Sequence, residues 1–268
     1  MTTGTTAAVV KERLAAAGVP ELGEVLAEEV AEPLVFASVS GAHLYGFPST
    51  DSDVDLRGAH LLPVEALIGL ETPRDTQSRM WLREGVELDL VTHDLAKYAR
   101  LMLRRNGYVL EQLLSPLVLR TTPVHAELAA LAPLVLTRHH GHHYRGFART
   151  QWRLFERSDE LKPLLYTFRA LLTGIHLMRS GEVLAHLPTL AAEVPSAPPY
   201  LGQLIAAKAT AEQGLRGELP GAPTPERLRD AVEALGAELD QAQRDSTLPA
   251  EQRGHRELHE LVVRARLG

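Results

Sequence analysis

Asp53, Asp55 and Asp89 are the residues whose types and spacing point most directly to chemistry. Residues two apart in an extended strand share a face, so Asp53-Val54-Asp55-Leu56 predicts two carboxylates on one side and two buried apolar side chains on the other. Adjacent carboxylates repel each other, and a hard divalent cation relieves that repulsion. Mg²⁺ (or Mn²⁺) takes oxygen ligands and keeps positions for water and phosphate. A third carboxylate, Asp89, stands in Val86-Glu87-Leu88-Asp89-Leu90-Val91, where alternation turns Glu87 and Asp89 away from the core. Beside the Asp53/Asp55 pair it completes a set able to hold two metal ions. One ion activates an attacking hydroxyl and the other clamps a departing pyrophosphate. The expected chemistry is phosphoryl transfer from an NTP, with Asp53, Asp55 and Asp89 both catalytic and metal-binding. The plainer alternative is a solvated acidic strand edge.

Groups able to handle phosphate lie on either side. Gly41 follows an apolar run and opens a turn, where it lets a triphosphate approach free backbone amides. Arg57 either binds substrate or pairs with the acidic cluster. Tyr45 packs under a nucleotide or fills the core. Asp51 shares parity with Asp53, yet fits a turn cap better than a ligand. Farther on, Lys162, Tyr166 and Arg169 stand at i, i+4 and i+7 of an expected helix and share a face. The two cations and the phenol either neutralise a pyrophosphate, or Lys162 and Arg169 pair with Glu156, Asp159 or Glu160. His139, His140, His142 and His143 invite a zinc reading, but no metallohydrolase signature surrounds them. With Arg138, Arg145, Arg149 and Arg153 they read as a surface for RNA or another polyanion, or as a solvated helix face.

Two kinds of element must position these residues. The first 122 residues read as a small α+β domain. Short helices are expected over 7–18 and 21–31, after a frayed segment 1–6. Strands are expected over 34–39 and 53–62, and over 76–82 and 86–91 as a hairpin. Thr92 is the expected N-cap of a helix reaching Arg105, with another over 109–114. Residues 123–268 read as an all-helical domain with helices near 124–133, 137–157, 160–180, 199–214, 225–243 and 250–266. Thr224-Pro225 pairs a capping residue with a proline suited to the first helical position. Residues 188–199 read as a surface loop.

The bulk numbers narrow the class. A chain of 268 residues suits two domains, and 45% hydrophobic residues supply their cores. A formal net charge of −6 argues against a bulk nucleic-acid coat protein while allowing a local basic patch. The absence of cysteine excludes disulfides, thiolate zinc sites and thiol nucleophiles. Charged residues such as Lys11, Arg13, Glu21 and Glu24 interrupt the first 30 positions, and no run of about 18 apolar residues follows. The expectation is a soluble cytoplasmic protein with no membrane partner.

Gly41-Ala42-His43-Leu44-Tyr45-Gly46 and Asp51-Ser52-Asp53-Val54-Asp55-Leu56-Arg57-Gly58, with Asp89 on a later strand, resemble the DNA polymerase β-like nucleotidyltransferase superfamily. The finer pattern resembles a bacterial and phage branch that includes nucleotidyltransferases associated with RNA repair and RNA ligases. The resemblance implies a palm, a mixed sheet with flanking helices, followed by the helical domain. It implies an NTP substrate, Mg²⁺ or Mn²⁺, and Ser40, Gly41, Arg57, Lys162, Tyr166 and Arg169 as nucleotide-binding residues. It also implies an RNA 3′ end as acceptor, with AMP transfer to a protein or small molecule, or a catalytically silent binding module, as alternatives. Ala42 departs from the pattern, because serine usually contacts the phosphates there. Ser40 or backbone amides must serve instead.

Overall fold

A computed structural model describes residues 32–49, 52–83, 85–210 and 214–268, together with Leu22, Leu26 and Val30. Apart from those last three, the expected elements before residue 32 lie outside the described residues, as does Asp51. The chain is α+β. Among the described residues, five strands, β1 (Leu34–Val39), β2 (Val54–His60), β3 (Thr76–Arg83), β4 (Val86–Asp94) and β5 (Val118–Arg120), form one mixed sheet in the order β3-β4-β2-β1-β5. β2 and β4 run parallel, and the other neighbours are antiparallel. β3 and β4 are the expected hairpin. β4 alternates as expected: Leu88, Leu90, Thr92 and Asp94 are buried, while Glu87, Asp89, Val91 and His93 are not.

Contacts group the chain into two units that are not continuous in sequence. The first holds the described residues up to Leu44, then Asp53–Val135 and Gln252–Gly268. It contains the sheet, α1 (Gly41–Tyr45, as far as Leu44), α2 (Val64–Ile68), α3 (Leu95–Met102), α4 (Gly107–Leu113), α5 (Pro123–Val135) and, from the far end of the chain, α11 (His255–Leu267). Phe36 of β1 centres the core. Its ring meets Tyr98 edge-on at 5.2 Å and stacks on His125 at 4.5 Å. The Tyr98 hydroxyl donates to the Val109 carbonyl at 2.7 Å, so this buried phenol is satisfied.

The second unit holds Tyr45–Ser52 and Leu136–Glu251. Its helices are α6 (His140–Ser158), α7 (Leu161–Ser180), α8 (Leu187–Glu193), α9 (Leu201–Lys208) and α10 (Pro225–Asp245). α7 is buried nearly all round, with Leu164, Leu165, Phe168, Ala170, Leu172, Ile175 and Leu177 all inaccessible. A helix apolar on every side belongs in the middle of its neighbours. Thr224 caps α10 by accepting from the Arg227 amide, with Pro225 in the first turn as expected.

Several local expectations are corrected. β2 starts at Val54, so Asp53 precedes the strand. β4 continues to Asp94, and Asp94, not Thr92, caps α3 by accepting from the Ala96 amide. Thr92 is instead a sheet residue whose hydroxyl meets His60 Nδ1 at 2.9 Å. The segment expected as a loop over 188–199 contains α8, with Pro188 in its first turn where no amide is needed. The helix expected over 199–214 spans Leu201–Lys208. The turn expected at Gly41 is a short helix, and β5 was not foreseen.

Candidate active site

Parallel pairing of β2 with β4 sets Asp55 directly opposite Asp89. Register partners project to the same face of a sheet, so the two carboxylates stand side by side. Arg57, two residues on, shares that face. Its NH2 lies 2.5 Å from Asp55 Oδ1 and 2.8 Å from Asp89 Oδ2. Its NH1 donates to the carbonyls of Leu56 at 2.9 Å and Asp89 at 2.6 Å. These side chains are only 18–22% exposed, so solvent screens them little. Of the two readings of Arg57, the structure places it on the acidic cluster.

Gly41 closes the opposite side of Asp55. Its φ is +60°, and a Cβ there would lie 1.8 Å from Asp55 Oδ2. Only glycine leaves room for that carboxylate in this left-handed conformation. The amide of Ser40 donates to the Asp55 carbonyl at 2.8 Å, which carries the β1–β2 pairing into the start of α1. The Ser40 hydroxyl is buried and has no hydrogen-bond partner among the described residues. It retains the capacity that phosphate binding would use.

Asp53 sits just ahead of β2, half-buried. Among the described residues, no three acidic or histidine side chains converge as a ready ligand set. The opposed pair, Asp55 and Asp89, fits a hard divalent cation by donor type, since every donor is a carboxylate oxygen. Here the guanidinium of Arg57 compensates their charge.

The other expected nucleotide-binding residues belong to the helical unit. Lys162 is half-buried in the first turn of α7. Arg169 is 1% exposed, packed among rings and not turned to solvent. Its guanidinium lies 4.0 Å from the Tyr45 ring centre, 5.5 Å from Phe147 and 5.9 Å from Tyr166. The Tyr45 ring is fully buried and also meets Phe47 and Tyr166. The core reading of Tyr45 is therefore the one seen. Among the described residues, no three of these histidines gather as a ligand set. His140 is buried against Thr137, His139 stacks on His142 at 5.7 Å, and His143 meets Tyr144 edge-on.

Two further residues escape a reading of the sequence. Met80 on β3 is the register partner of Asp89 on its other side, and it is 64% exposed. Lys208 is fully buried and donates to Ser49 Oγ at 2.8 Å, and Ser49 Oγ meets Ser52 Oγ at 2.8 Å. Those contacts tie Ser49 and Ser52 to the end of α9. No local signal marks Lys208, because it lies 159 residues from Ser49.

Residues 17–264 match the family described as the RNA repair pathway DNA polymerase beta family. An uncharacterized protein of Methanocaldococcus jannaschii is 33% identical over 150 residues, which cover 55% of this chain. The chain spans 61% of the length of that relative.

Proposed function

This chain belongs to the RNA repair pathway DNA polymerase beta family, and from that premise we propose that it transfers an NMP from an NTP to the 3′ hydroxyl of an RNA. The acceptor oxygen attacks the α-phosphorus, the bond from that phosphorus to the bridging oxygen breaks, and pyrophosphate leaves. The observation that carries this reading is Asp55 set opposite Asp89 on adjacent parallel strands, with one guanidinium between them. Asp53, Asp55 and Asp89 are the residues that would hold Mg²⁺ or Mn²⁺, whose chemistry is to neutralise the phosphates and acidify the acceptor hydroxyl.

The chain's own groups do the positioning, which is most of the catalytic work in phosphoryl transfer. Asp89 accepts the proton of the acceptor hydroxyl. Arg57 holds the two carboxylates in register, and its guanidinium would serve phosphate where a cation held those oxygens. Ser40 Oγ and the backbone around Gly41 receive phosphate oxygens. Lys162, Tyr166 and Arg169 serve the triphosphate in this reading, with Arg169 fixed in orientation by the rings around it. The sheet and its flanking helices act as a polymerase β-type palm.

The test is incubation with Mg²⁺ or Mn²⁺, each α-³²P-labelled NTP in turn, and a mixture of tRNA, RNA oligonucleotides and cell protein. The Asp55→Asn/Asp89→Asn variant runs alongside. Label on RNA ends, lost in the variant, is the expected result. Label on protein moves the acceptor to a protein hydroxyl. No label and no pyrophosphate release from any NTP overturns the reading.

A further inference from the structure

α6 and α10 of the helical unit, with Arg138 just ahead of α6, line an open surface cavity of about 490 Å³ formed by Arg138, His142, Arg145, Asp240, Gln243 and Arg244. Its wall is built. Gly141 lets α10 come close, since a Cβ there would lie 2.8 Å from Gln243 Oε1. Gln243 Oε1 accepts from Arg145 NH2 at 3.0 Å, and Arg145 also pairs with Asp240. The backbone of Arg138 is pinned by its amide, which donates to the Pro249 carbonyl at 3.0 Å.

The lining is rich in donors and poor in acceptors. Three guanidiniums face one carboxylate. The Nε atoms of Arg138 and Arg145 are buried and lack an acceptor among the described residues. The two ring nitrogens of His142 lie 3.2 Å from Arg145 NH1 and 3.2 Å from Gln243 Nε2, both of them donors. A neutral imidazole accepts at only one nitrogen, so one of these donors is left over. Surplus N–H groups around a cationic cavity call for a ligand made of acceptors, and phosphate oxygens are that ligand. The basic surface continues along α6. Arg149 and Arg153 are exposed. They follow Arg145 at four-residue steps, about 6 Å apart on one helix face.

We propose that this cavity and the arginine row beyond it bind the sugar–phosphate backbone of an RNA strand. The row extends past the space that one free phosphate fills, which favours a polymer. The choice of RNA rests on the acceptor reading above, whereas the phosphate chemistry does not. In a chain of net charge −6, such a local basic strip is what makes binding to a polyanion possible.

The experiment is fluorescence anisotropy of a labelled single-stranded RNA oligonucleotide between about 50 and 200 mM salt, the range over which counterion release is read. Proteins compared are the wild type, Arg138→Ala/Arg244→Ala, Arg138→Lys/Arg244→Lys and Asp55→Asn. Both arginines contribute side chains to the cavity surface, and circular dichroism checks the fold of each variant. The alanine variant is expected to bind about tenfold or more weakly, with a log–log salt slope shallower by about 1.4 from two lost phosphate contacts. The lysine variant keeps most of the slope. Asp55→Asn binds as the wild type does, whether or not transfer occurs, so this result stands apart from the catalytic reading. Wild-type affinity and slope in the alanine variant overturn the proposal. Saturation of the site by inorganic phosphate with no RNA binding overturns its RNA part. RNA binding lost only in Asp55→Asn places the strand on the sheet instead and also overturns it.

Discussion

Two carboxylates held side by side in a partly dry site need a cation, and Arg57 meets that need in this structure. A divalent ion bound by the same oxygens would compete with the guanidinium. Arg57→Met is therefore expected to lower stability in EDTA by about 2 kcal/mol, the scale of hydrogen bonds to charged groups. Mn²⁺ should then raise the melting temperature of the variant more than that of the wild type. Equal responses in a thermal-shift titration would show that Arg57 and the ion do not share these oxygens. Gly41→Ala combines a left-handed backbone, about 1–2 kcal/mol for a residue with a Cβ, with a contact of 1.8 Å to Asp55 Oδ2. Urea unfolding should show a loss larger than the backbone cost alone, and transfer activity should fall with it. In an Asp55→Ala background the contact is gone, and the penalty should shrink toward the backbone value. An unchanged penalty there would remove Asp55 from the explanation.

At the scale of elements, β4 performs two tasks by alternation. Its outward side presents Asp89, and its buried side ends in Thr92 and Asp94, which tie it to β2 and to α3. His60 of β2 is fully buried and meets Thr92, and burial lowers its pKa below the ordinary 6.5. His93 is lowered too, by burial and then by Lys97. The folded state thus binds fewer protons than the unfolded chain just below pH 6.5. Stability contributed by these neutral imidazoles is complete above that pH and declines as the pH falls from it toward the folded values. Chemical unfolding measured from pH 7.5 to 5 should show that decline, in about the range where free histidine titrates. His60→Gln should flatten it in part and His60→Gln/His93→Gln should flatten it further. A slope unaltered in the double variant would assign the decline to other groups.

At the scale of the whole molecule, the sheet unit is finished by the far end of the chain. Arg266 of α11 pairs with Asp94 at 2.7 Å, where their side chains are 10% and 3% exposed, and donates to the Leu62 carbonyl at 3.1 Å. Asp94 meanwhile caps α3 and accepts from the Leu62 amide. Removing one partner of a buried pair leaves the other charge without compensation, at a cost of about 3 kcal/mol. Arg266→Ala is expected to lose that much in equilibrium unfolding, while Arg264→Ala loses little, because the Arg264–Glu127 pair is more than half exposed. Equal effects for the two variants would show that the buried pair carries no special weight. Among the described residues, no helix is long and apolar enough to cross a membrane.

The sequence by itself determined the features that are local or periodic. The alternation of Val86–Val91 fixed which β4 residues face outward. The apolar run 34–39 marked a strand, and the Asp-Val-Asp spacing with a preceding glycine pointed to the family that residues 17–264 match. Local patterns also foretold the β3–β4 hairpin and the cap at Thr224. Only tertiary structure decided what depends on residues far apart in the chain. Parallel pairing of β2 with β4 makes Asp55 and Asp89 neighbours across 34 positions of sequence, and Arg57 then lies between them. A stripe at i, i+4 and i+7 could not show that Arg169 lies over the Tyr45 ring, because that ring comes from before β2. Lys208 and Arg266 carry no local mark at all, since each finds its partner more than 150 residues away. Periodicity tells which face of an element is buried, and the choice among possible partners for that face is made by long-range packing.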